Sequence, residues 1–140
     1  MNKFFFSLLL FSSFLWAEEG DFYINGNAVK AISLSMGISS IDFGDVYSDS
    51  QVSSELVDFT VNAENGYDYT VEISNDDSTG VVQVSRTASA GYTQNSITYI
   101  ETATGADQLH EFYVDLDTAS MNDDLSATVT VMVAYNDIPE

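Results

Sequence analysis

One histidine, His110, stands among 22 carboxylates in a chain without cysteine. That inventory narrows the chemistry at once. Zinc sites need several Cys or His ligands, and thiol catalysis needs a thiolate, so both are excluded. A Ser-His-Asp relay finds serines and aspartates in plenty, but no glycine-framed nucleophile elbow. Paired carboxylates are so common here that no pair singles itself out as a general acid and base. The expectation is a protein that is not an enzyme. Calcium is the better match to the residue types, because a hard cation takes several oxygen ligands from one loop. Two stretches offer them: Asn75-Asp76-Asp77-Ser78, and the group Asp115, Asp117, Asn122, Asp123 and Asp124. Neither follows the spacing of an EF-hand loop, and both compositions equally suit turns in which Asp and Asn bond their own backbone. Tyr92, Tyr99 and Tyr113 are read as lying near loops or on outward-facing positions, where aromatic rings can stack on a sugar.

The charge balance sets the next limits. The formal net charge is −19 at pH 7. Such a chain repels phosphate backbones and anionic lipid, which argues against nucleic acid as a partner. The N-terminus reads as a secretory signal: Lys3, then an apolar run from Phe4 to Trp16 too short to span a bilayer, then Ala17 at the cleavage position. Cleavage there leaves residues 18–140 as one domain, in which only Lys30 and Arg86 are basic. No second apolar run follows, so no membrane insertion is expected after cleavage. The expected location is the periplasm, cell surface or a fimbrium.

The elements that must carry these residues are strands. The only proline is Pro139, and Thr, Val, Ile and Tyr dominate the interior. Side chains alternate across a strand, so a period of two marks one buried face. Ala31 to Gly37 alternates with Ile32, Leu34 and Met36 inward. Ile41 and Phe43 predict a short strand through Val46. Val57, Phe59, Val61 and Ala63 share a face, as do Tyr67, Tyr69, Val71 and Ile73. Val82 and Val84, then Ser96 to Glu101, then Glu111 to Asp117 with Phe112, Val114 and Leu116 inward, supply three more. Leu125 to Tyr135 closes the series as one long strand of roughly 36 Å at about 3.3 Å per residue. The total is about eight strands at the spacing of an antiparallel β-sandwich.

One connection can be argued by residue. Asn65-Gly66 is a strong turn signal. A three-residue loop, Glu64 to Gly66, pairs Ala63 with Tyr67, Val61 with Tyr69 and Phe59 with Val71, with Gly66 in the left-handed region. A crossover between two sheets turns the same residues inward. The sequence leaves hairpin and crossover both open.

Three of these segments together resemble a known family. Ile41-Asp-Phe-Gly-Asp-Val46, the stretch Phe59 to Ile73 with its glycine turn, and the closing Thr-Val-Thr-Val strand ending at Tyr135 are similar to elements of bacterial fimbrial-subunit domains. The likeness is to spore coat protein U-like pilins and their relatives. The resemblance implies an immunoglobulin-like antiparallel sandwich and a structural role in a pilus-like assembly. It also implies donor-strand complementation, in which the N-terminal strand of one subunit completes the sheet of the next. Phe22, Ile24, Gly26 and Ala28 lie on one parity ahead of the first core strand and are the donor candidates; Lys30 breaks that parity. The implied partners are other copies or other pilus-type subunits, with a periplasmic chaperone. Two features depart from the family: there is no disulfide, and residues 136–140 extend past the final tyrosine. The alternative reading is a stand-alone secreted module that binds a glycan or calcium.

Overall fold

The computed structural model describes residue 26 and residues 28–136. The signal segment, Phe22, Ile24 and the tail beyond Asn136 lie outside the described residues. Among the described residues, seven strands form two antiparallel sheets packed as a β-sandwich: β1 (Ser33–Met36), β2 (Glu55–Asn62), β3 (Asp68–Asn75), β4 (Val82–Ser85), β5 (Ile97–Thr102), β6 (Gln108–Leu116) and β7 (Val129–Tyr135). One sheet has the order β1-β2-β6-β4 and the other β5-β3-β7. No helix among the described residues is long and apolar enough to cross a membrane.

The core is where alternation placed it. Val57, Phe59 and Val61 from the first sheet and Ala63 just beyond it meet Tyr69, Val71 and Ile73 from the second, and all are buried. Phe112, Val114 and Leu116 of β6 complete the layer, with Val81, Val82 and Val84 beside them. Removing these faces from water is the main force holding a chain that has no cross-links.

The connection after β2 is a crossover. β2 pairs with β1 and β6, whereas β3 pairs with β5 and β7, so residues 63–67 carry the chain from one sheet to the other. Gly66 adopts φ 85°, the left-handed conformation the Asn-Gly pair announced. Its N–H donates to the carbonyl of Ala103 at 2.8 Å, which ties the crossover to the end of β5.

Two predicted strands are corrected. Ile41 to Val46 is not a strand. Gly44 takes φ 67°, and its N–H donates to the Asp42 carboxylate at 2.8 Å. This local side-chain turn competes with a ladder and wins. The closing strand is shorter than its pattern: pairing begins at Val129, opposite Asn75, the last residue of β3. Upstream of that point the Thr128 N–H donates to the Asp76 carboxylate at 2.6 Å, so a turn side chain takes the place of a strand partner. The described residues therefore hold seven strands, against the expected total of about eight.

Candidate functional site

The two strands at the rims of the sheets face one another across a gap. β1 pairs only with β2, and β7 only with β3, so each has a backbone edge with no strand partner among the described residues. The two rims run side by side in opposite directions. At one end the Tyr135 hydroxyl donates to the Lys30 carbonyl at 2.7 Å and accepts from the Glu64 N–H at 2.8 Å. The backbone N–H of Lys30 donates to Glu64 at 3.2 Å, and its ammonium bonds Asn62. At the other end, residues 36–47 and 124–129 stand apart around a cavity of about 790 Å³.

That groove opens directly onto the core. Its floor includes Val57, Val82, Phe112, Val114 and Leu116. Met36, Ile38, Ile41 and Phe43 line it from the β1 side; Met121, Leu125, Ala127 and Val129 line it from the β7 side. Asp42, Asp45 and Asp124 are also part of its lining. The register explains why the rims are exposed although they point inward. Leu34 lies opposite Val61 and Met36 opposite Phe59, so both face the core side, yet they are 36% and 42% exposed. Val131, Val133 and Tyr135 lie opposite Ile73, Val71 and Tyr69 and are only half-buried, while those three partners are fully buried. Among the described residues, the sandwich thus carries an inward apolar face that is only partly covered.

The donor candidates fall on both sides of the boundary of description. Phe22 and Ile24 lie outside it. Gly26 and Ala28 are exposed, and a Cβ built on Gly26 would meet no atom within 4 Å.

Of the acidic residues named for calcium, Asp76, Asp77 and Asp115 accept from backbone N–H groups. Asp77 accepts from the Thr79 N–H at 2.9 Å, the Thr79 hydroxyl at 2.6 Å and the Val82 N–H at 2.8 Å. These donors, the Thr79 hydroxyl foremost, hold its carboxyl below the usual carboxylate range. Asp76 pins the start of β7, both through its carboxylate and through its own N–H to the Thr128 carbonyl at 3.1 Å. Asp115 accepts from the Leu116 N–H at 2.8 Å, and Asp117 from the Ser120 hydroxyl at 2.9 Å. Asp123 and Asp124 are exposed. Among the described residues, no three His, Asp or Glu side chains gather as a metal-ligating group.

The aromatic reading needs a correction. Tyr99 points into the sandwich, opposite Val71, and its hydroxyl meets His110. Tyr113 lies on the outer parity of β6 in the other sheet, so the two cannot form one stacking platform. The Tyr92 hydroxyl is turned to the Ala88 carbonyl at 3.0 Å.

His110 is the residue whose place sequence reasoning missed. It lies within β6, not ahead of it, and it is buried. Its parity with Phe112, Val114 and Leu116 was the available signal. Nε2 lies 2.8 Å from the Tyr69 hydroxyl and Nδ1 lies 3.1 Å from the Tyr99 hydroxyl. Comparison with protein-family models and with curated proteins finds no match to this chain.

Proposed function

We propose that the protein is a secreted structural subunit of a pilus-like surface assembly, joined to its neighbours by donor-strand complementation. The observation that carries this reading is the open rim. Two strand edges with no partner among the described residues flank a groove whose floor is the hydrophobic core itself. An extended segment laid there gains backbone hydrogen bonds from an edge and buries alternate side chains in the groove. An uncovered edge of this kind is a liability that monomeric sandwiches normally block.

The strand order supports the same reading. The order β1-β2-β6-β4 is compatible with strands A-B-E-D of an immunoglobulin sandwich and β3-β7 with C-F, while β5, which follows β4 in the chain and borders β3, has no counterpart in that scheme. Beyond β7, where strand G would lie, no strand stands among the described residues. The occupant is the N-terminal segment of a second copy, with Phe22, Ile24, Gly26 and Ala28 as its inward parity. The exposure of Gly26 and Ala28 is consistent with a segment that does not fill its own groove.

The test is a deletion of residues 18–28, which spares Lys30 and its bonds to Asn62, Glu64 and Tyr135. Electron microscopy and size-exclusion chromatography of the parent should show polymers, and the deletion variant should be monomeric. A synthetic peptide of residues 18–28 should then bind the variant and raise its melting temperature by linkage. A monomeric parent, with a deletion variant equally stable and indifferent to the peptide, would overturn the reading.

A further inference from the structure

One titratable side chain bridges the two sheets. His110 projects from β6 of the four-stranded sheet and reaches two strands of the other: β3 through Tyr69 and β5 through Tyr99. Phe59 of β2 stacks on the imidazole with ring centroids 5.0 Å apart and planes 12° apart. The ring is therefore fixed in plane and bonded at both nitrogens.

A neutral imidazole has one donor and one acceptor. One phenol must donate to the bare nitrogen while the other accepts from the N–H. That arrangement satisfies the ring in either tautomer. Protonation changes it, because an imidazolium only donates. The phenol that had been donating loses its acceptor, and a charge appears in the sandwich interior. Tyr69 is wholly buried, so its hydroxyl has no water to turn to.

The surroundings do not compensate. From β2 the ring meets Phe59, while Asp58 lies on the other face of that strand. From β3 it meets Tyr69, and from β5 Tyr99 and, further along the same face, Glu101. Glu101 lies 3.9 Å from Arg86, whose guanidinium also covers the Tyr99 ring at 3.7 Å. Arg86 thus offsets part of the nearby negative charge. On β6 itself, Glu111 has the opposite parity and is exposed. Burial, the largest influence, holds His110 below its ordinary value; Glu101 acts upward and Arg86 downward. A cleft lined by Arg86, Glu101, Gln108 and Glu111 borders His110, which keeps 7% of its surface exposed.

We propose that His110 is an acid-sensitive clasp between the two sheets, closed while the imidazole is neutral and released when it takes up a proton. The sign follows from linkage. Above about pH 6.5, folded and unfolded chains both hold neutral histidine, and the clasp contributes fully. As pH falls through that value the unfolded chain binds the proton first, so stability is lost until the folded chain also binds it. Each pH unit between the two transitions costs the folded-to-unfolded ratio a factor of about ten. The many carboxylates act in the opposite direction, since partial protonation relieves their mutual repulsion. The clasp must therefore be read as a difference between proteins.

The experiment compares thermal unfolding of the purified protein with that of His110→Gln, whose amide offers a donor and an acceptor but does not titrate. The melting-temperature advantage of the parent should be largest at pH 7.5 and shrink toward pH 5. An advantage that is constant over this range would overturn the proposal. If the variant does not fold, the parent alone decides. As the only histidine, His110 gives an unambiguous nitrogen-15 NMR titration. Its native transition should fall below pH 6.5, or unfolding should precede it. A folded chain in which it titrates at 6.5 or above, without change at Tyr69 and Tyr99, would overturn the clasp.

Discussion

The hydroxyl of Tyr135 donates a 2.7 Å hydrogen bond to the carbonyl of Lys30, 105 positions earlier in the chain. The same oxygen accepts from the Glu64 N–H, and the ring meets Tyr67 edge-on at 5.9 Å. One phenol at the end of β7 therefore joins the lead-in to β1 and the crossover between sheets. It fixes where the N-terminal segment leaves the sandwich, at the end of the rim opposite the open groove.

Tyr135→Phe keeps the edge-on ring contact and removes only this bridge. The part-buried Glu64 N–H loses its acceptor and the Lys30 carbonyl its donor. The expected loss is about 1–2 kcal/mol, the cost of leaving such groups unpaired near a surface. Urea unfolding of the two proteins measures it as a lower midpoint with an unchanged slope. Limited proteolysis should also cut sooner between residues 28 and 32. An unchanged midpoint would mean that water replaces the phenol without loss.

How much of this was legible in the sequence depends on the range of the forces involved. The buried faces of β2, β3 and β6 are local facts: Phe59, Val71 and Phe112 declare themselves by alternation with polar neighbours. Gly66 declares its turn for an equally local reason. Ile41 to Val46 misled because the same alternation occurs where no strand among the described residues lies alongside and where Asp42 captures the Gly44 N–H. The length of β7 misled because its pairing is set by where β3 ends, at Asn75. The groove and the His110 bridge were hidden for the same reason. Each depends on which strand of one sheet faces which strand of the other, and no periodicity within a strand records that.

Asp77 provides a second pH dependence, of opposite origin to that of His110. Its native carboxyl ionises more readily than in the unfolded chain, first because of the Thr79 hydroxyl and then because of the backbone N–H groups it accepts from. A depressed carboxyl contributes stability above the unfolded value, about 3.9. That contribution fades as pH falls through the native value, where the folded chain must protonate too. Asp77→Asn removes the charge and keeps one acceptor oxygen. The site is open to solvent, so the gap between parent and variant should be only a few tenths of a kcal/mol at pH 6. It should narrow toward zero below pH 4. Acid titrations of both proteins at fixed urea read this directly, and a gap that persists at pH 2.5 would show that shape, not charge, matters there.

Met36 and Phe59 sit directly opposite each other on β1 and β2, yet one is 42% exposed and the other 1%. The pair separates the stability of the monomer from the capacity of its rim. Phe59→Ala empties a filled core position and removes the ring stacked on His110, so it should cost about 3–5 kcal/mol. Met36→Asp changes a side chain that water already reaches, and the monomer should lose less than about 1 kcal/mol. Assembly should respond in the reverse order of severity. A carboxylate on the groove wall faces any apolar strand laid there and would be desolvated without a partner. Met36→Asp should therefore give folded monomers with a melting temperature within a few degrees of the parent's and no polymers by electron microscopy. Polymers as long as the parent's in this variant would move the docking surface away from the β1–β7 rim.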